Sequence, residues 1–182
     1  MIISEYKTIF IHIPKNAGTS IETLFANKSF QIQPNKHDNI YQIKKKFPEI
    51  YNNYRKFTII RNPYDKMVSW YFYLKRNLGE NYDVIDFNEW IKNPSKFWHA
   101  DDPISYLKPQ HEWIDDTVEI IKFENINKEI NEFFKKEINL PIVNKSNHDH
   151  YLTYYNRKSL NIVYDKYKED FEKFNYKKIT KI

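Results

Sequence analysis

The feature that most constrains this chain is a strand-to-helix turn near its start. Thr8-Ile-Phe-Ile-His-Ile13 is a nearly continuous apolar run stopped by Pro14. Such a run suits a strand buried on both faces of a parallel sheet, because a strand with one wet face alternates instead. Pro14-Lys-Asn-Ala-Gly-Thr-Ser20 follows, and then Ile21, Leu24 and Phe25 at helical spacing. A second unit repeats the plan. Phe57-Thr-Ile-Ile60 ends in Arg61-Asn62-Pro63, where Asn62 fits an N-cap and Pro63 a first helical residue, with the helix running to about Leu78 or Gly79.

The rest of the chain is read from the same signals. Phe30–Gln33 is a possible short strand, and Asn39–Phe47 has Ile40, Ile43 and Phe47 at helical spacing. Asp86 caps a short helix to Ile91. Residues 93–112, with three Pro, read as a long surface excursion. Val118–Phe123 predicts a third core strand, Ile126–Ile138 a helix, Pro141–Tyr154 a His- and Asn-rich loop, and Leu160–Phe174 a terminal amphipathic helix. Alternating strands and helices predict an α/β fold with a parallel sheet. No linker or solenoid repeat divides the chain, so residues 1–182 are expected to form a single domain.

The first loop has the makings of an anion site. Small residues let backbone N–H groups converge, and the following helix adds its unpaired N–H groups and positive dipole end. Lys15 and the hydroxyls of Thr19 and Ser20 add donors; the plainer reading is an ordinary capped turn. The chain has only 2 Gly, so Gly18 is expected to be required by its backbone. The loop is not a Walker A sequence, because Lys15 precedes the Gly by three residues and no later strand ends in a metal-holding Asp. Arg61, at the carboxyl end of a buried strand, and Ser69, two turns into the next helix, can hold a second phosphate. The alternative for Arg61 is a local pair with Asp65, four residues on.

Together, Phe10-Ile-His-Ile-Pro-Lys-Asn-Ala-Gly-Thr-Ser20 and Ile60-Arg-Asn-Pro-Tyr-Asp-Lys-Met-Val-Ser69 resemble the two signature motifs of sulfotransferases that use 3′-phosphoadenosine 5′-phosphosulfate (PAPS). The resemblance is closest to the carbohydrate branch, which includes heparan sulfate 2-O and chondroitin enzymes and bacterial relatives. Weaker similarity continues through Ile121–Ile126, Asn144-Lys-Ser146 and Tyr164–Phe171, so it spans nearly the whole chain. The resemblance implies a P-loop-like three-layer fold with a central parallel sheet flanked by helices. It also implies PAPS as co-substrate, with no metal. The 5′-phosphosulfate would lie on Lys15, Asn16, Ala17, Gly18, Thr19 and Ser20, and the 3′-phosphate on Arg61 and Ser69. Lys145 and Ser146 would be a late nucleotide contact. The larger eukaryotic members have a membrane anchor that is not seen here, and the short chain implies a pared-down acceptor site.

Sulfuryl transfer asks the protein to hold both reactants, remove the acceptor proton and neutralise charge on the leaving oxygen. Lys15 fits the last task. A His between the two motifs serves as the acceptor base in the resembling family, which points to His37 in Pro34-Asn-Lys-His-Asp38. The plain alternative is a surface His beside Asp38. Glu22 is the competing base. His12 lies within a buried strand and reads as a core residue or as support behind the site. His148 and His150 read as surface, and Trp70, Tyr71, Trp98 and Trp113 as packing before sugar stacking. The runs Lys44–Lys46, Lys135–Lys136 and Lys177–Lys178 read as solvated faces.

Composition narrows the rivals. With 18% aromatic residues, disorder is excluded as the main state, and with no Cys so are disulfides and thiol catalysis. A net charge of +5 favours an anionic partner without choosing one. No helix-turn-helix, RNA-recognition or zinc pattern is present, so no nucleic-acid partner is expected. No apolar stretch approaches the ~20 residues that span a bilayer, and the start is unlike a signal peptide, which predicts a cytoplasmic protein. The expected acceptor is a hydroxyl, on a saccharide or glycan. The rival readings are an ATP-dependent kinase or NTPase and a non-catalytic nucleotide-binding protein.

Overall fold

The computed structural model of the chain describes residues 1–28, 33–78, 85–97, 107–143 and 148–181. The chain divides into two compact units, Met1–Arg61 with Gln110–Asn144, and Asn62–Pro109 with Lys145–Ile182.

The first unit carries a four-stranded sheet in the order β1 (Ile2–Ile3), β2 (Thr8–Ile11), β3 (Arg55–Ile60), β4 (Glu119–Lys122). β1 runs antiparallel to β2, while β2, β3 and β4 are parallel, with Phe10 opposite Phe57 and Ile59 opposite Ile121. The sheet is therefore mostly rather than wholly parallel. Helices of this unit flank it: α1 (Gly18–Phe25), α2 (Ile40–Lys46), α3 (Pro48–Asn53) and, after α4 (Pro63–Leu78) and α5 (Phe87–Trp90) of the second unit, α6 (Ile126–Phe134). The fold is mixed α/β, as the alternating pattern predicts.

Every residue of β2 is buried, and so is β3 from Lys56 onward. Alternation then sends Phe10, Phe57, Ile59 and Ile121 into one seam with Ile21 and Phe25 of α1 and Ile130 and Phe133 of α6. At about 1.5–3 kcal/mol per buried large apolar side chain, this seam outweighs any single polar contact in the unit. Val118–Phe123 departs from its expected core position. β4 is an edge strand with Glu119 and Ile120 exposed, and Arg55 grips Glu119 through two bonds of 3.0 Å. An edge strand has a neighbour on one side only, so its outer face stays wet. Asn39 caps α2 through the Gln42 N–H, in the segment where the spacing predicts a helix. α6 stops at Phe134, four residues before its expected end, because Lys135 adopts the left-handed conformation.

The second unit holds α4 (Pro63–Leu78), α5 (Phe87–Trp90), α7 (Arg157–Lys166) and α8 (Lys168–Lys173). Asn62 Oδ1 accepts the Tyr64 N–H at 3.0 Å, so the cap expected before Pro63 is present. Met67, Val68, Tyr71 and Leu74 of α4 bury against Phe87, Trp90, Leu160, Val163, Tyr167 and Phe171. The expected terminal helix is two helices, because Tyr167 leaves helical geometry at ψ 23° while its hydroxyl donates to Leu107 O at 3.0 Å. The possible strand at Phe30–Gln33 lies, save for Gln33, outside the described residues. Gln33 bonds the Ile2 N–H and carbonyl through its side-chain amide.

Candidate active site

The site is built where β2 gives way to α1. His12, Ile13 and Pro14 stay buried past the strand, and the backbone then turns through Lys15 at φ 68° and Ala17 at φ 60°. Two left-handed residues flanking Asn16 swing successive N–H groups toward one side, the geometry of an anion nest. The N–H groups of Gly18 and Thr19 meet no acceptor among the described residues, and Ala17 supplies no side-chain cap. They and the positive end of the eight-residue α1 form a cradle that suits a phosphate. Ser20 is placed differently. Its N–H closes the turn onto Ala17 O at 3.0 Å, and its hydroxyl receives the Val143 N–H at 3.3 Å.

Gly18 is needed for a reason other than its own dihedral. A Cβ there would lie 1.9 Å from His12 Nε2 and 2.0 Å from His12 Cδ2. The imidazole of His12 occupies the room any side chain would need.

A buried amide relay ties the loop to β3. Asn16, 1% exposed, donates Nδ2 to Ile59 O and to Gln110 Oε1, each at 2.7 Å. Gln110, 0% exposed, also accepts the Arg61 N–H at 2.9 Å and donates to Arg61 O at 2.8 Å. It completes the hydrogen bonding of the strand end as another strand would. Arg61 itself is buried, donates Nη1 to Lys15 O at 3.0 Å and lies over the Phe123 ring at 4.2 Å. The structure thus brings Lys15, Asn16, Ala17, Gly18 and Thr19 together with Arg61. Gln110 escaped the sequence reading, since it sits in a Pro-broken stretch without periodicity, and no pattern marks a lone Gln as buried.

A second cluster stands beside the loop. His12 Nδ1 donates to Glu22 Oε1 at 2.7 Å, and Lys36 Nζ donates to Glu22 Oε2 at 2.9 Å. His37 Nδ1 donates to the His12 carbonyl at 3.2 Å, with the two rings 4.6 Å apart and edge-on. A carbonyl can only accept, so the hydrogen of neutral His37 sits on Nδ1 and the lone pair on Nε2. Burial, then the neighbouring His12, pushes His37 down to about 4, leaving it neutral at pH 7. Burial also lowers His12, with Glu22 opposing. Burial alone would raise Glu22, but the His12 and Lys36 bonds outweigh it and hold the carboxyl at about 2. A carboxylate so held is a weak base, which favours His37 over Glu22 for proton removal. Asp38 is buried and engaged with Lys46 Nζ at 2.6 Å and the Asn35 N–H at 2.8 Å.

Other expected residues lie elsewhere. Ser69 is buried on α4 of the second unit. Lys145, Ser146, Trp98 and His99 fall outside the described residues. His148 stacks on Phe72 at 5.1 Å and His150 leans on Tyr151 at 4.5 Å. Trp70, Tyr71 and Trp113 are core. Among the described residues no group of three or more His, Asp or Glu side chains could hold a metal, and no helix is long and apolar enough to cross a membrane.

Residues 1–128, more than two thirds of the chain, match the model of a family described as the sulfotransferase family. Neither a curated protein nor a solved structure matches the chain.

Proposed function

We propose that this chain, which belongs to the sulfotransferase family, transfers the sulfuryl group of PAPS to a hydroxyl of a carbohydrate. The acceptor oxygen attacks sulfur in line as the bond between sulfur and the 5′-phosphate oxygen breaks. Adenosine 3′,5′-bisphosphate leaves with that electron pair, and the acceptor proton passes to His37 Nε2. The Gly18 and Thr19 N–H groups, with Lys15, would hold the 5′-phosphate and meet the charge that grows on it. Asn16, Ala17 and Ser20 would shape that cradle. Arg61 and Ser69 are proposed for the 3′-phosphate on the strength of their motif, and Lys145 and Ser146 for a further nucleotide contact on the strength of theirs.

The observation that supports this reading most is that Arg61, at the start of the second motif, is bonded through its guanidinium to the carbonyl of Lys15 in the first. A guanidinium from the second motif is thereby held against the loop of the first, which supports a doubly phosphorylated nucleotide as the ligand. Transfer of charge in a buried setting gains from such fixed donors, because they need no rearrangement when charge develops.

Calorimetry tests the donor. Adenosine 3′,5′-bisphosphate should bind more tightly than ATP with Mg²⁺, and Arg61→Ala should weaken that binding by more than about 1.5 kcal/mol. Tighter binding of ATP with Mg²⁺ rejects the proposal in favour of a kinase. Incubation with PAPS and a panel of glycans, phenols and peptides, read by mass spectrometry, then identifies the acceptor; sulfation of phenols alone rejects a carbohydrate.

A further inference from the structure

The loop and the His37 imidazole share one buried support. His12 touches both: its ring fills the space over Gly18, its edge meets the His37 ring, and its carbonyl holds His37 Nδ1. Glu22 in turn fixes His12 through Nδ1, from a helix whose first residues form the cradle. We propose that Glu22 and His12 are positioning residues for the transfer reaction, a carboxylate–imidazole pair that holds the His37 ring in its Nδ1–H form and supplies the negative charge that stabilises the imidazolium formed when His37 takes the acceptor proton. This deepens the reading of His37 as base and rests on it.

Three observations carry the idea. The tautomer needed for a base facing the substrate through Nε2 follows from a carbonyl acceptor, and that carbonyl belongs to the residue Glu22 anchors. Glu22 is ionised and partly buried, so its charge is less screened than that of a surface carboxylate. A carboxylate behind an imidazole stabilises the cationic ring by the same logic in which a buried acid orients a catalytic histidine. The titratable groups that act on the two imidazoles are Glu22 and Lys36 for both, the Met1 amine for His12, and His12 itself for His37. Lys36, the amine and the His12 ring oppose protonation; in His37 the His12 carbonyl and Glu22 favour it, and of these two Glu22 carries the negative charge.

Glu22→Gln tests the proposal, because the amide oxygen can still accept from His12 Nδ1 while the charge is gone. Imidazole nitrogen NMR on the intact protein should find His37 as the Nδ1–H form. Its titration midpoint should fall by at least about 0.5 in Glu22→Gln. In transfer assays kcat should drop at least about tenfold with KM for PAPS changed less than about threefold, and the acid limb of the kcat profile should move to lower pH. Glu22→Asp should recover part of the rate. His12→Asn, which keeps a donor toward Glu22 but loses the ring, should also lower kcat, and melting curves show whether it folds. An unchanged His37 midpoint and tautomer in a folded Glu22→Gln protein overturns the proposal. If adenosine 3′,5′-bisphosphate fails to bind the unaltered protein, the functional reading falls instead, and the NMR result still decides whether Glu22 acts on His37.

Discussion

At the scale of single residues, the turn over Lys15–Ser20 into a helix was legible because a strand-ending Pro, small residues and apolar residues at helical spacing stand together in the chain. The reason for Gly18 was not. The natural expectation is a left-handed backbone, yet those positions are Lys15 and Ala17, and Gly18 makes room for His12 instead. Six residues separate the two, and no local pattern joins a strand imidazole to a later glycine. Gly18→Ala should therefore cost about 1–3 kcal/mol in urea melts, as overpacking does. In a His12→Ala background the same change should cost at least about 1 kcal/mol less, since the obstructing ring is gone. Equal costs in the two backgrounds contradict the contact. Gln110 was invisible for a different reason: its bonds to Asn16 and Arg61 are long-range, and only the fold brings it to the end of β3.

At the scale of elements, the helices announced by their caps came out where the sequence put them. Asn62 and Asp86 are read correctly because a cap is a contact between neighbours two or three residues apart. Asn62→Ala should lower the urea midpoint by the equivalent of about 1 kcal/mol with the slope unchanged; no change would mean that α4 starts without it. Elements misread are those decided by distant packing. Val118–Phe123 has the apolar content of a central strand, but its place at the sheet edge depends on which strands pair. The terminal helix has continuous helical spacing, and its break at Tyr167 depends on Leu107, sixty residues away.

At the scale of the whole molecule, acid is the natural stress. The folded value of His37, about 4, lies below its unfolded value of 6.5, so between these the unfolded chain binds the proton more readily. Its contribution is complete above about pH 6.5 and fades as pH falls toward 4. Glu22 acts in the same direction lower down, complete above about 4.5 and lost toward 2. Urea midpoints should fall on acidification below about 6.5, with His37 accounting for about 1–3 kcal/mol. His37→Asn should flatten the upper part of that fall. A midpoint level from about pH 7.5 to about pH 4.5 contradicts the burial of a neutral His37. The net charge of +5 yields only the expectation of an anionic partner, and the arrangement of His12, Glu22, Lys36 and His37 needed the folded chain.

The imidazole lodged over Gly18 also sets an order on mutational history. A methyl at position 18 forces the ring at position 12 to move, whereas position 12 can shrink first without collision. A lineage drifting away from this pair has one less costly route, with the strand residue changing before the loop residue. Descendants carrying alanine in the loop should then show a smaller side chain six positions earlier.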